Sequence, residues 1–164
     1  MRHALLSILF VSALPLAAQA GGGTLTLPNK APFAKDAAVP DAVRAECGLE
    51  KIVPELIRDA AGKKFDKVVL APGVSAKTPG KAMSLTILRV LAPGGGPWSG
   101  PKSVTVTGIL WDNGKVAGNF HAVRSTTRGG GTCGMLERNA KEIAGDISKW
   151  LDAPGKNALL GEAK

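Results

Sequence analysis

The most constraining stretch of the 164-residue chain runs from Ser103 to Arg124, SVTVTGILWDNGKVAGNFHAVR, where two runs with strand character meet across Asp112-Asn113-Gly114-Lys115. Asn-Gly between apolar runs is a strong hairpin signal, because a type I′ turn needs positive φ at both central residues. A two-residue loop also sets the register. It predicts Asp112 opposite Lys115, Trp111 opposite Val116, Leu110 opposite Ala117 and Val106 opposite His121. On that register His121 shares a face with Val104, Val106, Leu110 and Val123 and has no acidic cross-strand neighbour. It therefore reads as a structural or exposed histidine rather than a catalytic or ligand one. Trp111, Val116 and Phe120 fall on the opposite face, and apolar residues on both faces leave open which one packs on helices.

Hydrophobic period supplies the other elements. Lys67–Ala71 (KVVLA) and Ala82–Leu91 (AMSLTILRVL) read as two more strands, making four. Leu49, Ile52, Val53, Leu56, Ile57 and Ala60 recur at helical spacing after Gly48 and predict a helix ending near Gly62, with Pro54 either kinking it or marking its first turn. Asp41, after Pro40, is placed to cap a short helix that reaches Cys47. Leu136, Ala140, Ile143, Ala144, Ile147, Trp150 and Leu151 form one stripe of a last helix, with Thr132 as its N-cap. The pairs Glu137/Lys141 and Arg138/Glu142 lie on the polar side of that helix. The expected class is α+β: a two-layer sandwich of a mainly antiparallel four-stranded sheet, two principal helices and one disulfide. Residues 21–39 read as an extended lead-in with one short strand at Thr24–Leu27, 40–155 as a single domain, and 156–164 as a tail.

Residues 1–20, MRHALLSILFVSALPLAAQA, combine a basic start, an apolar run and Ala18-Gln19-Ala20, the pattern of a secretory signal peptide cut between Ala20 and Gly21. The run is broken by Ser7, Ser12 and Pro15 and is shorter than the roughly 20 residues of a spanning helix. Two cysteines only, Cys47 and Cys133, in an oxidising compartment predict one disulfide. Neither a C-x-x-C nor a set of histidines points to a metal, and no cofactor is expected. The formal charge of +8 falls to +7 once Arg2 is removed with the leader. The basic excess suits an anionic envelope component or envelope protein, against which stands the scatter of the charges, which never form a dense run; few aromatics and no tyrosine argue against nucleic acid.

Three motifs fail on inspection. GGGPWSGPKS, residues 94–103, has glycines at phosphate-loop spacing, but Pro101 pushes Lys102 and Ser103 one place too far and removes an N–H. Ser99-Gly100-Pro101-Lys102 matches S-x-x-K, which works only on a helix that Gly-Pro prevents. Gly129 to Gly134 (GGGTCG) matches G-x-G-x-x-G, but no strand is expected after the helix to complete a βαβ unit, and a disulfide cysteine occupies the turn. What remains is a Gly and Pro-rich loop, residues 93–102, carrying Trp98, Ser99 and Lys102 as candidate partner-binding residues. No catalytic constellation emerges.

The hairpin ILWDNGKVAGNFHAV and the closing helix LERNAKEIAGDISKWLDAP resemble small exported α/β domains related to the amino-terminal domain of TolB and to envelope lipoprotein domains. The resemblance implies two helices layered on a mainly antiparallel sheet and a role in envelope binding or assembly. The chain departs from those lipoproteins in lacking the acylated cysteine and from TolB in lacking propeller repeats. The resulting expectation is a soluble periplasmic, non-enzymatic binding or assembly module of undetermined oligomeric state, with no membrane span after cleavage. A hydrolase inhibitor using the Trp98 loop as a wedge is the alternative, and a small hydrolase using Ser99 or His121 ranks third.

Overall fold

A computed structural model describes residues 22–94 and 100–164. The expected leader and its cleavage point, and Trp98 and Ser99, lie outside the described residues. In chain order the elements are β1 (Thr24–Pro28), α1 (Asp41–Glu46), α2 (Leu49–Ala61), β2 (Lys67–Ala71), β3 (Lys81–Leu91), β4 (Lys102–Asp112), β5 (Lys115–Thr126), α3 (Gly131–Trp150) and β6 (Ala158–Gly161). The strands make one six-stranded mixed sheet in the order β2-β1-β3-β4-β5-β6.

This corrects the expected four-stranded, mainly antiparallel sheet. β1 pairs in parallel with both β2 and β3, and β5 pairs in parallel with β6. Antiparallel pairing is confined to β3–β4 and β4–β5. The two added strands are β1, which matches the short strand expected at Thr24–Leu27 but was not placed in the sheet, and β6 in the tail, whose four residues carry too little period to announce a strand. Parallel partners are also joined by helices, so no turn signal marks their pairing. Leu25 and Leu27 of β1 are nonetheless fully buried, at the centre of the core rather than leading into it.

The hairpin turn forms as expected, with positive φ at Asn113 (49°) and Gly114 (81°). Asp112 faces Lys115 and Trp111 faces Val116, but Ala117 is then bulged out and Leu110 faces Gly118. From that point each residue of β5 sits one place off the predicted register, and side-chain direction reverses with it. Phe120 consequently turns into the core, where it meets Trp150 edge-on at a centroid distance of 5.1 Å. Gly108 lies opposite Phe120, and a Cβ there would come within 2.6 Å of the ring.

The predicted stripe of α3 is buried in full, from Leu136 to Leu151, and Arg138 and Glu142 approach to 3.7 Å on its outer side. The helix starts one residue before Thr132, with no side-chain cap, and Asp41 likewise sits inside α1 without capping it. Pro54 lies inside α2. α2 and α3 pack on each other and on one face of the sheet, α3 against β4 and β5 and α2 against β1 and β2. Cys47 and Cys133 are bonded, with Cα atoms 5.0 Å apart and a sequence separation of 86, tying the end of α1 to the first turn of α3. No helix among the described residues is long and apolar enough to cross a membrane.

Candidate binding face on the uncovered side of the sheet

With the helices on one side, alternation along β4 separates two faces. Val104, Val106, Gly108 and Leu110 are buried, while Ser103, Thr105, Thr107, Ile109 and Trp111 are partly or fully open. Two bulges determine which polar side chains join the open set. In β3, Ile87 faces Val106 and Arg89 faces Thr105, leaving Leu88 as the extra residue. Unbulged pairing would put Arg89 opposite Val104, in the core; the bulge turns it outward and returns Val90, 3% exposed, to the core side. The Ala117 bulge does the same for His121, which faces Thr107 instead of Val106. Arg89 and His121 thus reach the same open face.

Two cross-strand rows result. One runs Arg89, Thr105, Val123; the next runs Thr86, Thr107, His121, Leu159. Thr107 is held by donating its hydroxyl to the Phe120 carbonyl at 2.7 Å. Around these rows lies a shallow cleft of about 530 Å³ bounded by Arg89 and His121, the hydroxyls of Ser103 and Thr105, and aliphatic walls at Leu88, Leu91 and Val123. No carboxylate lines it. Glu162 accepts from the Ser125 hydroxyl at 2.7 Å, and Asp146, in α3 on the helix-covered side, binds Arg124 through both oxygens at 2.7 and 2.8 Å. The opposite end of the same face, at the β4–β5 turn, carries Ile109, Trp111 and Val116.

The sequence-predicted residues are distributed differently. Lys102, expected to reach outward from the loop, has no exposed surface; its ammonium donates to the Pro93 carbonyl at 2.6 Å and its own carbonyl accepts from Asn139 at 2.7 Å, so it closes the loop at the base. An apolar groove of about 510 Å³ lies beside the disulfide, lined by Val43, Cys47, Pro93, Gly94 and Cys133 among others. β6 does follow α3 and completes a βαβ unit with β5, contrary to expectation. The glycine run before α3 still makes a poor nucleotide cradle, since Cys133 is tied to Cys47 and the space above Gly129 is filled by Met135 within 2.7 Å. Among the described residues no group of three His, Cys, Asp or Glu is placed to hold a metal. Arg89 was not singled out from sequence. Its signal is the slip in Met83-x-Leu85-x-Ile87-x-x-Val90, where a second intervening residue marks the bulge.

No protein-family model matches the chain, and no curated protein sequence matches it. Among solved structures it is similar to the dodecamer of a PelC point variant from Paraburkholderia phytofirmans, with 17% identity, 80% of this chain and 89% of that chain covered, and a TM-score of 0.53. A PelC dodecamer from the same organism in another crystal form gives 16% identity, 76% and 87% coverage, and a TM-score of 0.49. At this identity the likeness concerns the fold.

Proposed function

We propose that the chain is an exported, non-enzymatic binding and assembly module of the cell envelope and that it works as a homo-oligomer. The observation that carries this reading is the uncovered sheet face with its apolar end. Ile109 is 38% exposed and Val116 46%, beside Trp111, in a fold whose other sheet face is covered by helices. Single exposed apolar residues are ordinary, but a group of them on one flat face marks a surface built for contact. The shared fold with a subunit of a dodecamer supports a second copy as the occupant. The bonded cysteine pair and the leader-like start support export.

A photo-crosslinking residue placed at Val116 in the intact bacterial periplasm tests the reading. Adducts at multiples of the chain's own mass are expected, and far fewer from the same probe at Lys141 on the outer side of α3. Adducts from Lys141 alone, or none from Val116, would contradict it.

A further inference from the structure

Beyond self-association, we propose that the cleft around Arg89 and His121 binds an acidic peptide segment, one in which a carboxylate side chain neighbours an aliphatic one. This extends the binding half of the function proposed above and does not depend on subunit assembly. Three observations carry it.

The first is how the site is built. Two independent bulges, at Leu88 and at Ala117, are needed to bring Arg89 and His121 onto one face. Bulges re-aim side chains, and here they aim both toward the same cleft. The second is charge. Arg89 offers a guanidinium fork suited to a carboxylate, Ser103, Thr105 and His121 add polar groups beside it, and no acid in the lining competes. The third is the wall. Leu88, Leu91 and Val123 are aliphatic, and the volume lies within the roughly 300–1,000 Å³ usual for ligand sites.

That wall also discriminates between anionic partners. No Phe, Tyr or Trp ring lines the cleft, so a sugar or base lacks the broad flat platform on which such ligands stack. An anionic membrane surface is recognised by clusters of about four to eight basic residues, whereas the cleft has a single arginine. A peptide uses both parts of the site, its carboxylate on Arg89 and its neighbouring aliphatic side chain on Leu88, Leu91 and Val123.

The test is fluorescence anisotropy of the full mature chain with a labelled peptide of alternating Glu and Leu, against the same peptide with Gln for Glu. The acidic peptide should bind at least tenfold more tightly. Arg89→Gln should remove that preference, Arg89→Lys should restore part of it, and Lys115→Gln, outside the cleft, should leave it intact. Arg89 is exposed, so thermal melting of these variants should match the parent. Equal binding of the two peptides, indifference to Arg89→Gln, or equal losses from Arg89→Gln and Lys115→Gln would each overturn the proposal. Tighter binding of an oligogalacturonate or of vesicles rich in phosphatidylglycerol would overturn the peptide assignment. Native masses recorded on the same samples keep the two readings apart: a monomer that prefers the acidic peptide contradicts self-association alone, and an oligomer without the preference contradicts the cleft alone.

Discussion

The backbone N–H of Ala31 donates at 2.7 Å to the carbonyl oxygen of Glu50 in α2. In an unbroken helix that oxygen would accept from residue 54, but residue 54 is proline and has no N–H. The segment after β1 thus takes over a helical acceptor. The proline that looks like a flaw in the α2 pattern is a docking point for the chain's first described segment.

Pro54→Ala should therefore be destabilising, although alanine is the better helix former. It supplies a competing donor to Glu50, and Ala31 is fully buried, so its displaced N–H cannot turn to water. A cost of about 1–3 kcal/mol is expected. Hydrogen exchange at the Ala31 amide should quicken at least tenfold. Unchanged stability together with unchanged exchange would refute the docking role.

Breaking the Cys47–Cys133 bond releases a closed loop, spanning a sequence separation of 86, that contains β2 through β5. In the chain-entropy account this should cost about 4 to 5 kcal/mol. Denaturant titration of the Cys47→Ser, Cys133→Ser double variant checks it. A loss below about 1 kcal/mol would show that the unfolded chain is little restricted by the bond.

Gly108→Ala should destabilise through overpacking by roughly 1–3 kcal/mol. The added carbon would meet the Phe120 ring at 2.6 Å and the Ser84 carbonyl at 2.8 Å, and the backbone partner cannot give way cheaply. Thermal melting reads the effect, and pairing it with Phe120→Leu should recover part of the loss. Additive losses would show that the ring is not the obstacle.

Arg124 and Asp146 form a two-point ion pair joining β5 to α3, with side chains 28% and 14% exposed. The hydrogen bond to Asp146 raises the Arg124 guanidinium above its usual range, against the opposing effect of burial. A raised folded value means that the stabilisation is fully present below the unfolded value and is lost only as pH climbs through the folded one. Asp146→Asn should then cost roughly 1–3 kcal/mol, with the difference from the parent flat from about pH 6 to about pH 10. A difference that shrinks steadily across that window would contradict the assignment.

How far the sequence led is clearest in β5. Asn113-Gly114 announced the turn and its first two pairs, because positive φ is a local requirement. The bulge at Ala117 is not local: it follows from which register buries Phe120 against Trp150 and lets Gly118 sit so close to the Gly155 carbonyl that a Cβ there would come within 2.8 Å of it. The predicted partners of His121 were therefore one place off, and the open face was hidden. The stripe of α3 and the cysteine pair were readable because helical period and a single possible pairing leave little choice. β6 was not, and β1 was readable as a short strand but not as a member of the sheet, since their parallel partners are chosen by packing over long sequence separation. Lys102 read as an exposed loop cation; the structure instead buries it, with its ammonium on the Pro93 carbonyl.

The most direct measurement is the native mass of the disulfide-bonded chain, residues 21–164, from low to high micromolar concentration, alongside Val116→Lys. The account predicts a discrete oligomer for the parent and a shift toward monomer for the variant, with an unchanged circular dichroism spectrum. A parent that remains monomeric throughout, or a variant that assembles as the parent does, would contradict it.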